Sequence, residues 1–198
     1  MKLLVLSGSR NMEGQTARAV NAICKGAEAS GVMTETLFLA GMKLERCRQC
    51  EADGWGKCLE EGYCIIKDDF AGIVEKIKAA DLVVFANPVY YHDLSESMKT
   101  FLDRYRRITA PWLKQPVAGI PAMALCYAGG SGNGTSACGA VLERVLQTCG
   151  FDVVNVFLAR RQNLEVMLPL LEEIGTWLAT RPTNGPPDPG PQTGTRKK

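Results

Sequence analysis

The sequence predicts an α/β fold, a doubly wound five-stranded parallel sheet between two layers of helices. Three observations predict it. Runs such as Leu3-Leu4-Val5-Leu6 and Leu82-Val83-Val84-Phe85-Ala86 have the unbroken hydrophobicity of strands buried on both faces. Amphipathic helical patterns alternate with these runs along the chain. Segments rich in Gly, Ser and Asn stand where strands give way to helices, the edge at which such sheets take ligands.

Taken in order, the first strand leads into Ser7-Gly8-Ser9-Arg10-Asn11-Met12-Glu13-Gly14-Gln15-Thr16, and a helix opens near Gln15. Ala17, Val20, Ile23, Cys24 and Ala27 keep helical spacing, and Gly31 supplies a stop. Thr34 to Leu39 alternates as a second strand. Gly41 to Lys67 has no regular period and reads as a functional loop. Phe70, Ile73, Val74, Ile77 and Ala80 form a helical face, capped by Asp68 or Asp69. The third strand ends at Asn87-Pro88, and Ser95 to Arg107 follows as a helix. Ile120 to Tyr127 is the fourth strand and Ser136 to Gly150 its helix. Val153 to Leu158 and Leu164 to Ala179 complete the pattern. Residues 1–180 thus form one domain, and the Pro- and Gly-rich stretch 181–198 is expected to be a disordered tail.

A chain of 198 residues, 46% hydrophobic, suits one domain with a substantial core. A net charge of +2 and the absence of a basic stripe interleaved with aromatics argue against nucleic acid as a partner. No apolar run is long enough to cross a membrane, and the amino terminus enters a strand rather than a signal peptide, so a cytoplasmic protein is expected. Eight cysteines in that setting point to metal ligands or buried small apolar groups rather than disulfides.

Three loops fall at the ligand edge. The first, residues 7–16, joins a buried strand to a helix amino terminus, whose open N–H groups suit a phosphate. Ser7, Ser9, Asn11 and Thr16 add hydroxyl and amide donors, and Arg10 adds charge. The loop has neither the P-loop pattern nor GxGxxG, so one terminal phosphate suits it better than a triphosphate. Its other reading is a turn in which Ser and Asn merely cap the helix. The second, Asn87-Pro88-Val89-Tyr90-Tyr91-His92, offers backbone donors and flat rings to a planar ligand, or is a rigid turn packed on a neighbour. The third, 128–134, is glycine-rich, allowing close approach of a flat ligand or simple flexibility before a helix. His92 is the one histidine in the sequence, and with no GxSxG elbow present it is assigned no catalytic role.

Cys47, Cys50, Cys58 and Cys64 form a C-x2-C-x7-C-x5-C cluster, where uniform scatter would place fewer than one cysteine. Four thiols without histidine suit zinc or an iron–sulfur cluster; the plainer readings are reduced surface thiols or a redox-active C-x-x-C pair. Cys24, Cys126, Cys138 and Cys149 sit in strand or helix patterns and read as buried side chains.

Ser7-Gly8-Ser9-Arg10 with Gly14-Gln15-Thr16, then Cys47-Arg48-Gln49-Cys50, then Gly62-Tyr63-Cys64-Ile65-Ile66-Lys67-Asp68-Asp69-Phe70, form an ordered series. Ala80-Asp81, Pro88-Val89-Tyr90-Tyr91 and Ser97 through Arg104 extend it. Over roughly residues 1–157 this series resembles the flavodoxin-like NAD(P)H-dependent FMN reductases, in particular their iron–sulfur flavoprotein branch. The resemblance implies FMN at the sheet edge, with its phosphate on Ser9, Arg10, Asn11, Gln15, Thr16 and Ala17. Its ring would lie between Pro88, Val89, Tyr90 and Tyr91 on one side and Gly129, Gly130, Ser131 and Gly132 on the other. It further implies NAD(P)H or a ferredoxin-type protein as donor, a flavin, quinone or other small molecule as acceptor, and a homodimer or homotetramer. In the iron–sulfur branch four cysteines hold a [4Fe–4S] cluster, here Cys47, Cys50, Cys58 and Cys64. That branch has a compact C-x2-C-x2-C, whereas Asp53 stands at the third position here and Cys58 follows five residues later. The alternatives are a flavodoxin-like electron carrier or redox sensor without enzymatic activity, and a zinc-stabilised binding protein without flavin.

Overall fold

A computed structural model of the chain describes residues 1–109 and 119–180. The expected tail at 181–198 lies outside the described residues. The elements are β1 (Lys2–Ser7), α1 (Gln15–Ala29), β2 (Met33–Phe38), α2 (Lys57–Glu60), α3 (Phe70–Lys78), β3 (Leu82–Pro88), α4 (Glu96–Thr109), β4 (Pro121–Ala128), α5 (Thr135–Thr148), β5 (Asp152–Arg160) and α6 (Leu164–Thr180). Among the described residues the five strands form one parallel sheet in the order β2-β1-β3-β4-β5. The chain moves outward from β1 in one direction to β2 and in the other to β3. The crevice between the carboxyl ends of β1 and β3 is therefore the topological switch point.

Alternation along each central strand explains why both faces are covered. Leu4, Leu6, Val83 and Phe85 point into a core shared with α3, α4 and α5. Leu3, Val5, Leu82 and Val84 point into a second core under α1 and α6. Each such side chain, fully buried, contributes roughly 1.5–3 kcal/mol. Helices α1 and α6 pack backbone to backbone, because glycines meet at the crossing. A Cβ on Gly26 would lie 1.8 Å from the carbonyl oxygen of Glu172, and one on Gly175 would lie 2.0 Å from that of Ile23. The helix carrying the first loop is thereby clamped at close range.

Two local expectations change. Leu39 leaves the second strand for a short 3-10 turn, Leu39–Gly41. The 41–67 loop contains the four-residue helix α2, with Lys57 pairing Glu61 at 2.5 Å, too short to leave a period in the sequence. That loop is fastened at its far end by two carboxylates. Asp69 accepts from the Lys43 N–H at 2.7 Å, and Asp68 from the Glu45 N–H at 2.8 Å. Asp69 does not cap α3 through its side chain; Asp68 accepts the Phe70 N–H at 3.2 Å instead. Asp68 also receives both ends of the Arg104 guanidinium from α4, at 2.6 and 3.0 Å. Burial alone would raise the Asp68 carboxyl, but the Arg104 bonds and the two backbone N–H groups outweigh it and hold it below its ordinary value.

Two outcomes follow. Gly26→Ala should lower stability by roughly 1–3 kcal/mol, since backbone must move to admit the methyl group; an unchanged melting temperature would contradict the clamp. Because the folded-state pKa of Asp68 is depressed, its stabilisation is complete above the ordinary carboxylate range near about pH 4 and is lost as pH falls from there through the lower folded-state value. Urea unfolding of wild type should therefore weaken more on acidification than that of Asp68→Asn, and parallel losses would count against the ion pair.

Candidate functional site

The carboxyl edge of the sheet holds a cavity of about 770 Å³, within the range of small-molecule and cofactor sites. Ser9, Asn11, Gln15 and Thr16 line one wall. Pro88, Val89, Tyr90 and Tyr91 form another, and Gly129, Gly130 and Ser131 a third. All three loops read from the sequence as ligand-binding thus meet in one space. Three residues matched to the flavin do not line it. Arg10 lies on a neighbouring cavity of about 490 Å³, beside Ser97 and on the other side of Tyr90. Ala17 is buried, leaving only its backbone N–H for a ligand. Gly132 backs onto Gln162, which donates to the Ser131 carbonyl at 2.8 Å and braces the third loop from behind.

The first loop is folded on itself by its own side chains. Ser9 Oγ donates to the Asn11 carbonyl at 3.0 Å, and Asn11 Oδ1 accepts from the Glu13 N–H at 2.9 Å. Neither caps the helix. The residue before α1 is Gly14, no side chain caps α1, and no acidic residue stands in its first turn. Its first N–H groups are left for a ligand, with the positive end of the helix dipole behind them. The serine and asparagine side chains of this loop therefore do not cap α1.

The second loop is a two-residue hairpin. Tyr90 and Asp93 exchange backbone hydrogen bonds at 3.1 and 2.9 Å, and both central residues, Tyr91 (φ 47°) and His92 (φ 69°), are left-handed. Such a turn favours Asn-Gly, so Tyr and His hold it under strain, and the Tyr91 ring stands fully exposed at the cavity mouth. Gly134, at φ 87°, lies so close that a Cβ there would meet His92 Cα at 2.7 Å, which joins the third loop to the second.

The first and second loops are joined by a buried polar knot. Asn87 Oδ1 accepts from the Ser95 N–H at 3.0 Å and from Ser95 Oγ at 3.1 Å. Its Nδ2 donates to the Pro88 carbonyl at 2.8 Å and to Cys138 Sγ at 3.3 Å. Ser97 Oγ donates to the Gly8 carbonyl at 3.1 Å, and a Cβ on Gly8 would fall 2.3 Å from Ser95 Oγ. Cys126 neighbours Asn87 across the sheet and hydrogen-bonds to Cys138, which with burial drives the Cys126 thiol well above its ordinary range. Cys24, Cys126, Cys138 and Cys149 are all buried free thiols, and burial pushes Cys149 up to about 12.

Other residues join the cavity unannounced. Arg161, Leu164 and Glu165, after β5, make a fourth wall; Arg18 closes it by pairing with Glu165 at 2.8 and 3.0 Å. Arg18 and Glu165 are far apart in sequence, and nothing local connects them. The segment after β5 was legible in principle, since every loop leaving a carboxyl strand end faces this rim. Tyr127, Gly14 and His92 also line the space. Burial raises the Tyr127 phenol, while Arg161 and Arg18 pull it back.

Cys47, Cys50, Cys58 and Cys64 line a separate small cavity with Arg104 and Arg107. Arg104 Nη2 donates to Cys64 Sγ at 3.4 Å, while Arg107 donates to the Gly54 carbonyl and lies 4.0 Å above the Trp55 ring. Among the described residues no three His, Cys, Asp or Glu side chains stand close enough to hold a single metal ion.

The family model for NADPH-dependent FMN reductases matches residues 1–163. An iron–sulfur flavoprotein of Methanocaldococcus jannaschii is 34% identical over 131 residues, which are 66% of this chain and 65% of that protein. Matched stretches cover only 45–65% of the length of the first curated relatives. Among solved structures, an NAD(P)H:quinone oxidoreductase from Methanothermobacter marburgensis superposes with TM-score 0.67 at 18% identity, covering 91% of this chain and 97% of the other. A flavodoxin from the domain Archaea superposes with TM-score 0.52 at 15% identity, covering 90% and 96%. The strand order is that of flavodoxin, no described helix is long and apolar enough to cross a membrane, and the chain belongs to the NADPH-dependent FMN reductase family.

Proposed function

We propose that the protein is an FMN-dependent oxidoreductase that passes electrons from NAD(P)H, or from a reduced ferredoxin-type protein, to a flavin, quinone or other small acceptor. The observation that carries this reading is the single cavity in which the uncapped start of α1 meets the loops after β3 and β4. The residues suit the cofactor. Ser9, Asn11, Gln15 and Thr16, with the first N–H groups of α1, would hold the phosphate. Pro88 to Tyr91 and Gly129 to Ser131 would flank the ring, with few side chains between backbone and ligand. FMN when bound supplies the hydride and electron chemistry, so no protein acid or base is required. The chain's own part is to seat the phosphate, fix the ring at the switch point and leave one approach open for donor and acceptor.

The reading extends to the cysteines. Their four thiols share a cavity with two guanidinium groups, and Arg104 Nε is buried without a hydrogen-bond partner among the described residues. An anionic, sulfur-held centre would satisfy that donor and charge balance. A [4Fe–4S] cluster is favoured over zinc because several relatives carry the name iron–sulfur flavoprotein. Assembly as a homodimer or homotetramer belongs to the same proposal, supported by the exposed Tyr90 and Tyr91 rings at the cavity mouth. A cytoplasmic setting is supported by eight unpaired cysteines.

The purified protein should be yellow, and heat should release FMN rather than FAD. Riboflavin, lacking the phosphate, should bind at least about tenfold more weakly, because hydrogen bonds to a charged group contribute roughly 1.5–3 kcal/mol. Steady-state oxidation of NADPH or NADH with a quinone should be measurable. Colourless protein that ignores added FMN overturns the flavin reading; bound FMN with no turnover from either nucleotide or from reduced ferredoxin leaves the electron-carrier function instead.

A further inference from the structure

We propose that the cavity on the far side of Tyr90 takes the adenosine half of the nicotinamide dinucleotide that donates electrons. The inference rests on the reading of the protein as an FMN-dependent oxidoreductase supplied by NAD(P)H. This second cavity, of about 490 Å³, lies between the loop after β1, the turn at Leu39–Gly41 and the start of α4. Leu39, Met42, Leu44 and Tyr90 give it an apolar wall, and Arg10 and Glu96 bring opposite charges to it. Elsewhere on the surface such charges pair off, as Arg18 does with Glu165, Lys25 with Glu172 and Lys99 with Asp103. Arg10 and Glu96 are both exposed, and among the described residues neither side chain makes an ion pair or a hydrogen bond. They line one cavity without meeting each other.

A ligand that satisfies this lining carries an anion for Arg10, hydroxyl donors for Glu96 and a flat ring for the apolar wall. The adenosine half of a dinucleotide has all three: phosphate, ribose hydroxyls and adenine. An arginine fork matches phosphate oxygens in a charge-assisted pair. A carboxylate on ribose hydroxyls and an arginine on phosphate is also how other α/β folds divide the holding of such nucleotides. Other occupants suit the lining less well. A quinone brings no anion to Arg10, a folded protein donor cannot enter a cavity of this size, and the FMN phosphate has its seat at the start of α1, in the rim cavity that Arg10 does not line. Tyr90 lines both cavities. One molecule lying across it would present its nicotinamide end to the rim cavity and its adenosine end to Arg10 and Glu96. The backbone exchange between Tyr90 and Asp93 holds that partition in place.

The test uses full-length protein loaded with FMN, and the variants Arg10→Met, Arg10→Lys and Glu96→Gln. Adenosine 2′,5′-bisphosphate, which has no nicotinamide, probes the adenosine site by titration calorimetry. Steady-state kinetics follow NADPH and NADH with a quinone as acceptor. Arg10→Met should weaken the bisphosphate roughly tenfold, through the loss of hydrogen bonds to a charged group. It should raise the KM for the nucleotide by a similar factor with kcat held, the mark of an interaction made equally in ground and transition states. Arg10→Lys should recover part of the loss, Glu96→Gln should weaken the bisphosphate, and FMN affinity should match wild type in all three. A rise in KM for NADPH alone supports the proposal with Arg10 on the 2′-phosphate, and an equal rise for NADH supports it with Arg10 on the pyrophosphate. Unchanged affinity for bisphosphate and nucleotides in Arg10→Met would overturn it. So would weaker FMN binding with the nucleotide KM unaltered, which would return Arg10 to the FMN phosphate. Wild-type protein that binds FMN but no bisphosphate also overturns it and leaves the flavin site standing. Wild-type protein that binds no FMN overturns the flavin reading itself, and this inference with it.

Discussion

The Asn87 side chain is completely buried at the end of β3, and all four of its hydrogen-bonding positions are used. Its oxygen takes the first N–H and the hydroxyl offered by Ser95 at the entrance to α4. Its nitrogen reaches the carbonyl of Pro88 and the thiol of Cys138 on α5. Around this amide the loop after β1 closes by contact, since Gly8 sits where any side chain would strike Ser95, and Ser97 binds its carbonyl. In a buried setting each of these groups is costly to leave unpaired. The rim loops are therefore not independent flaps; they are positioned from one point beneath the cavity.

The same helix that begins at this knot carries Arg104 at its other side. Seven residues separate Ser97 from Arg104, roughly 10 Å along a helix at 1.5 Å per residue. The rim cavity and the cysteine cavity thus hang from one rigid rod, with the Arg104–Asp68 pair fixing the start of the cysteine loop against it. A flexible loop rich in glycine becomes a defined container because its ends are tied to α4 and α3. The arrangement gives two separated cavities a fixed spacing, which a mobile loop could not supply.

Much of this was legible beforehand, for identifiable reasons. Strands buried on both faces leave uninterrupted apolar runs, so β1 and β3 declared themselves, and with strand and helix alternating the parallel sheet followed. Ser9, Asn11, Gln15 and Thr16 were readable because the residues after a buried strand must be small and polar to open a helix end. What escaped the sequence depends on distance or on backbone shape. Arg18 meets Glu165 only because α1 and α6 cross at Gly26 and Gly175. The left-handed conformation of Tyr91 and His92 runs against their own preferences and is imposed by the hairpin. Arg104 reads locally as one charged residue on a helix, and only the fold places it against Cys64. Arg10, adjacent to true lining residues in sequence, faces the neighbouring cavity because the loop turns between Arg10 and Asn11.

The central claim is that the rim loops form one flavin site fastened through the Asn87 amide. It is tested most directly by the dissociation constant for FMN of Asn87→Ala beside that of the wild type, with circular dichroism showing that both are folded. The account predicts at least about tenfold weaker binding, since leaving buried partners unpaired costs roughly 1–3 kcal/mol and loosens both walls of the cavity at once. Equal affinity in a folded variant would contradict it.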